Sequence, residues 1–100
     1  MVKHIILWQL KDELTQNEKD DVKKGIKSGL ESLKGNIPGL IDINVNIDCL
    51  SSSNADVMLD SSFEDEAALK GYSLNPKHVA IADSKVRPFT KNRVCMDFEV

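Results

Sequence analysis

The chain has 100 residues, 41% of them hydrophobic and 29% charged, which is the length and make-up of one globular domain spanning 1–100. A net charge of −3 with no basic stripe excludes nucleic acid and an anionic membrane surface as expected partners. No apolar run approaches the roughly 20 residues that cross a bilayer, and Met1–Leu10, with Lys3, His4 and no small-residue cleavage site, does not read as a signal peptide.

The first predicted strand is Val2–Leu10. Val2, His4, Ile6, Trp8 and Leu10 share one face while Ile5 and Leu7 take the other, a pattern suited to a central strand. Thr15 with Glu18 three residues later is a capping-box pattern that opens a helix. Val22, Ile26, Leu30 and Leu33 continue it at helical spacing, Gly35 is placed to end it, and Pro38-Gly39 marks a turn. The second strand, about Leu40–Cys49, alternates strictly: Ile41, Ile43, Val45, Ile47 and Cys49 against Asp42, Asn44, Asn46 and Asp48. Ser51–Asn54 reads as a loop and Ala55–Phe63 as the third strand, with Val57, Leu59 and Phe63 aligned. Ser62 is placed to cap a short helix from Glu64 to about Lys70, and Asn75-Pro76 to start another through about Asp83. A last strand near Arg93–Val100 sets Val94, Met96 and Phe98 on one face and Cys95 on the other.

The order β-α-β-β-α(α)-β predicts an α+β, ferredoxin-like βαββαβ domain: helices on one face of a four-stranded antiparallel sheet. The other face is then bare. It collects Ile5, Leu7, Met58, Val94, Met96 and Phe98 among Asp42, Asn44, Asn46 and Asp56, which predicts either a homodimer interface or the lining of a wet barrel interior. Cys49 and Cys95 form neither a CxxC pair nor a metal knuckle and are read as buried, reduced thiols of a cytoplasmic protein.

Several segments together are recognisable: Val2-Lys3-His4-Ile5-Ile6-Leu7-Trp8 with Lys11-Asp12, Ile37-Pro38-Gly39-Leu40, Phe63-Glu64, Tyr72-Ser73-Leu74-Asn75-Pro76-Lys77-His78, and Val94-Cys95-Met96-Asp97-Phe98. The chain resembles the stress-responsive A/B barrel (Dabb) family over essentially its whole length, and Tyr-x-x-x-Pro-x-His is the most specific part. The resemblance implies a ferredoxin-like protomer that pairs into a dimeric α/β barrel. Most such proteins have no assigned activity; some are plant proteins linked to stress responses. One branch resembles cofactor-free polyketide cyclases that perform intramolecular aldol condensations. In that branch the motif's tyrosine and histidine act in catalysis and correspond to Tyr72 and His78, while a strand-one histidine corresponds to His4. Its third-strand histidine is replaced here by Val57.

On physical grounds His78 falls in the first turn of a predicted helix, where the macrodipole disfavours its protonation. A neutral imidazole can serve as a base toward a C–H beside a carbonyl, with the Tyr72 hydroxyl donating to the enolate oxygen. Equally, His78 can simply hold the turn and Tyr72 be a half-buried aromatic with a satisfied hydroxyl. His4, Ile6, Trp8, Val57 and Leu59 are candidate pocket residues, or plain core. Two histidines without HxxxH or HExxH spacing predict no protein-built zinc site, no glycine-rich phosphate loop is present, and no cofactor is expected. Three functions stay open. One is a homodimeric module of unassigned or stress-linked function, open to binding a small apolar or phenolic ligand. Another is a cofactor-free cyclase or aldol-type enzyme using His78 and Tyr72, and the third is a cofactor-independent oxygenase by fold analogy.

Overall fold

The hydrophobic alternation and caps translate into four strands and a run of helices in the computed structural model, which describes residues 1–100. Strand β1 (Val2–Leu10) is followed by α1 (Gln16–Glu31), β2 (Leu40–Asn46), β3 (Val57–Phe63), α2 (Glu66–Leu74), α3 (Pro76–Ile81) and β4 (Thr90–Glu99). The sheet order is β2-β3-β1-β4 and every pairing is antiparallel. This is the ferredoxin-like α+β fold.

Local chemistry explains most element ends. The Thr15 side chain accepts from the Glu18 backbone N–H, and Glu18 returns the bond to Thr15, completing the capping box. The chain leaves α1 at Ser32, and Gly35 (φ 82°) helps reverse its direction. Ile37–Leu40 then forms a type II turn closed by Leu40 N–H on the Ile37 carbonyl at 3.2 Å, with Gly39 at φ 79°. A side chain on Gly39 would also collide with Ala68, so α2 packs directly on this turn.

Several ends differ from the sequence reading. The pairing register shifts between Leu40 and Asp42, so Leu40, Ile43 and Val45 point inward and Ile41 is exposed. Strand β2 ends at Asn46 because its partner ladder ends at Met58, which leaves Cys49 in an exposed loop. Strand β3 starts at Val57; Asp56 stands outside it and accepts the Leu10 N–H at 2.8 Å instead of joining the bare face. Ser62 is occupied in the sheet, so Asp65 caps α2, accepting from Ala68 N–H. The helix after Asn75 runs past Asp83 as a π-helical turn, Ala82–Val86, and a 3₁₀ turn, Arg87–Phe89. The Cys95 thiol is likewise exposed, because β4 is an edge strand without a helix above it.

The core lies between the sheet and the helices. Ile26, Leu30 and Leu33 from the α1 region meet Ile6, Trp8, Ile43, Val45, Val57, Leu59 and Phe63 from the sheet. Lys27 and Glu31 tie α1 to the free edge of β2: Lys27 donates to the Val45 carbonyl (2.7 Å) and Glu31 accepts its N–H (2.9 Å). The opposite face is uncovered, leaving Leu7, Val94, Met96 and Phe98 exposed. Its polar part is Lys3, bonded to Ser62 and paired with Asp60, together with the expected Asn44 and Asn46.

Candidate functional site

Three elements carry polar side chains into the covered side of the sheet. Alternation along β1 turns His4 inward, where it is 5% exposed. On the neighbouring strands its register partners are Ser61 and Asp97. The Ser61 hydroxyl donates to the His4 carbonyl at 2.8 Å, and His4 Nδ1 pairs with the half-exposed Asp97 carboxylate. Tyr72, on the inner face of α2, is 1% exposed. Asn75 accepts from Lys77 N–H at 3.0 Å to cap α3, with Pro76 at its first position, and this turn brings His78 back over Tyr72.

The rings form one connected group. Tyr72 and His78 lie 4.2 Å apart between centroids at 37°, Tyr72 and His4 6.0 Å apart at 67°, and Phe63 contacts Tyr72 at 5.0 Å. A cavity of about 100 Å³ adjoins them. His4, Ile6, Trp8, Leu59, Tyr72 and His78 all line it; Ala82 and Val86 of the π-helical turn form part of its wall, and Arg87 and Arg93 stand at its exposed rim. Val57 does not line it, nor do Ile43 and Val45; these three are buried core. Valine is at home in that fully buried position, whereas a histidine would need a polar partner.

The protonation states of the two motif residues are set apart. His78 is held below its ordinary value of 6.5, first by burial and then by the positive charge of Arg87 and Arg93 and by His4, with the Ser73 backbone opposing. The direction is the one expected from sequence, and desolvation is its largest cause. Burial likewise raises the Tyr72 phenol well above its ordinary value, against the influence of Arg93. At neutral pH the site therefore offers a neutral imidazole beside a protonated phenol. Tyr72 Oη has no hydrogen-bond partner in the protein, and His78 Nδ1 has none of good geometry although the Ser73 backbone lies close enough to act on its ring, so the satisfied hydroxyl considered from sequence is not found.

Comparison with known proteins agrees with this frame. The sequence model of the Stress responsive A/B Barrel Domain family matches residues 2–100. The chain belongs to that family. A dimeric protein of unknown function with a ferredoxin-like fold from Bacteroides fragilis is 29% identical, with 99% of this chain and 95% of that one covered at a TM-score of 0.93. A dimeric ferredoxin-like protein of unknown function from Thermobifida fusca is 24% identical over 99% and 90% of the two chains, at a TM-score of 0.83. The hydroxynitrile lyase from Passiflora edulis shares the fold at 18% identity, 97% and 90% coverage and a TM-score of 0.71. No curated protein matches the chain.

Within this A/B barrel domain, residue-level reasoning had missed Arg87, Arg93, Ala82 and Val86 as cavity residues. Arg87 and Arg93 belong to no motif; Arg93 only marked the start of the last strand. The irregular π and 3₁₀ turns that place Arg87 have no sequence periodicity to announce them. No helix is long and apolar enough to cross a membrane.

Proposed function

We propose that this A/B barrel protein is a cytoplasmic homodimer in which each protomer binds a small, largely apolar ligand against His4, Tyr72 and His78. The observation that carries the reading is the pair of buried atoms without protein partners, Tyr72 Oη and His78 Nδ1, on residues that line one cavity. Leaving such a group unpaired costs about 1–3 kcal/mol, so two of them together favour a ligand that pairs with both. A carbonyl or phenolic oxygen meets the Tyr72 donor, and apolar atoms suit Ile6, Trp8 and Leu59. The volume of about 100 Å³ is smaller than the roughly 150 Å³ that takes benzene. A phenolic or acyl compound therefore enters by its polar tip, its remainder passing the Arg87 and Arg93 rim.

A second reading follows from the opposed protonation of the two groups. His78, neutral at pH 7, is suited to take a proton from carbon beside a carbonyl, and Tyr72, protonated, to donate to the enolate oxygen. That is the chemistry of a cofactor-free cyclase or aldol-type lyase. Val57, standing where the cyclase branch carries a histidine, counts against a full cyclase assignment.

The dimer is supported by the exposed Leu7, Val94, Met96 and Phe98 and by the dimeric Bacteroides fragilis and Thermobifida fusca relatives. A standard interface of about 800 Å² per chain would cover that face. Light scattering at micromolar concentration is expected to give twice the chain mass, and a single chain mass rejects the dimer. A reducing cytoplasm suits the two free thiols.

The ligand reading is tested by thermal-shift screening of wild type and His78→Ala against phenolic, β-keto and fatty-acyl compounds. A ligand at 100 times its Kd adds about 2.7 kcal/mol of stability. Stabilisation of wild type that weakens in His78→Ala is the expected result, while equal stabilisation of both, or none in either, overturns the site. For any β-keto ligand found, deuterium exchange of its acidic C–H, catalysed by wild type and not by His78→Ala, separates enzyme from binder.

A further inference from the structure

The rung that holds His4 carries a second feature, at the Nδ1 atom of the imidazole. Register places Asp97 directly opposite His4, and Cys95 two residues earlier on β4 opposite Ile6, so all three side chains leave the same face of the sheet. Cys95 Sγ lies 3.7 Å from His4 Nδ1 and 3.5 Å from Asp97 Oδ1, and the Asp97 carboxylate pairs with that same ring nitrogen. The three donor atoms all fall within 4.8 Å of one another. Four-coordinate zinc bonds of about 2.0–2.3 Å place neighbouring ligand atoms roughly 3.3–3.8 Å apart. The sulfur already stands at that spacing from both of its neighbours, and the directly paired His4 Nδ1 and Asp97 oxygen part by about 1 Å for both to ligate.

We infer that His4 Nδ1, Cys95 Sγ and Asp97 form a binding site for a borderline divalent cation, Zn²⁺ or Co²⁺ in chemical class. One imidazole, one thiolate and one carboxylate suit such ions better than Mg²⁺ or Ca²⁺, which take oxygen ligands. Three protein ligands leave the fourth tetrahedral position to water or a small ligand, and the Arg93 side chain, which lies beside the Cys95 thiol, favours an anionic one. The set is preorganised by the sheet: residues i and i+2 of one strand face a single residue of the next, and strand pairing fixes their separation. His4 is anchored further by the Ser61 bond to its carbonyl and by the edge contacts of its ring with Phe63 and Tyr72. The sequence hides this arrangement because 91 residues separate His4 from Cys95. The inference goes beyond the ligand reading above and does not depend on it.

The test is a titration of the metal-free chain with Co²⁺, read by absorption. One equivalent per chain is expected to bind, with a thiolate-to-metal charge-transfer band in the near ultraviolet and the visible bands of four-coordinate cobalt, both bleached by Zn²⁺. Cys95→Ser is expected to lose the charge-transfer band and Asp97→Asn to weaken binding at least tenfold, while Cys49→Ser leaves both unchanged. Cys95 and Asp97 are the positions of choice because both are exposed, whereas replacing the buried His4 risks the fold. A folded wild type that shows no charge-transfer band overturns the site, as does a band that survives Cys95→Ser. A band lost in Cys49→Ser assigns the metal to the other thiol and overturns it equally. Repeating the ligand screen with a chelator present keeps failure of the cavity reading distinct from failure of this one.

Discussion

The covered face of the sheet has two halves that obey the same alternation and fill it differently. In one half Ile26, Ile43, Val45 and Val57 belong to the core, all 2% exposed or less, and none of them lines the cavity. Towards α2 and α3 the inward positions are His4, Ser61, Tyr72 and His78, and a cavity remains. Apolar burial is non-directional, so the first half needs only volume and shape to be stable. The second half buries polar atoms, two of them without protein partners, which stability alone does not reward. The stabilising core and the candidate site are thus separated along one sheet, which gives three ways to break the distinction.

The largest effect is expected in the closed half. Ile26→Ala should cost about 2–5 kcal/mol in urea unfolding, the usual range for a fully buried aliphatic truncated to alanine. A loss below about 1 kcal/mol would mean this half is not the stabilising one.

An intermediate effect belongs to His78 and depends on pH. Its pKa is lower in the folded chain than the ordinary 6.5, so between the two values the unfolded chain binds more protons. The stability contributed by the neutral ring is complete above about pH 6.5 and is lost as pH falls towards the folded value. Urea midpoints of wild type should therefore drop on going from about pH 7.5 to about pH 5 more than those of His78→Phe. Equal drops would show that His78 is not held neutral.

The smallest effect is expected at Tyr72. Because its hydroxyl has no protein partner, Tyr72→Phe should leave stability within about 1 kcal/mol of wild type while removing the donor of the proposed site. A cost above about 2 kcal/mol would reveal a partner for the hydroxyl and weaken the division between the two halves.

Much of the architecture was legible because its signals are local. Thr15 and Glu18, Pro38 and Gly39, and Asn75 and Pro76 each act within a turn or less of chain, and each did what its residue chemistry predicts. The inward set of β1 followed from a period of two. Element ends failed where a distant partner decides them. Ser62 is a good helix cap by composition but belongs to a ladder with Lys3, and β2 stops where β3 offers no further partner. Cys95 reads as a buried strand residue, yet the sheet order makes its strand an edge.

The candidate site divides along the same line. Tyr72 and His78 sit six residues apart, so one helix cap and one proline suffice to bring their rings to 4.2 Å. Arg93 and Asp97 reach the neighbourhood of His4 only because β4 pairs with β1 in one register, and a slip of a single residue would turn both to the opposite face. Helices, turns, alternation and the motif pair were written in short stretches of sequence, since caps and turns act over a few residues. The cavity, the arginine rim and the His4–Cys95–Asp97 cluster came from strand order and register, which are set by contacts between residues far apart in the chain.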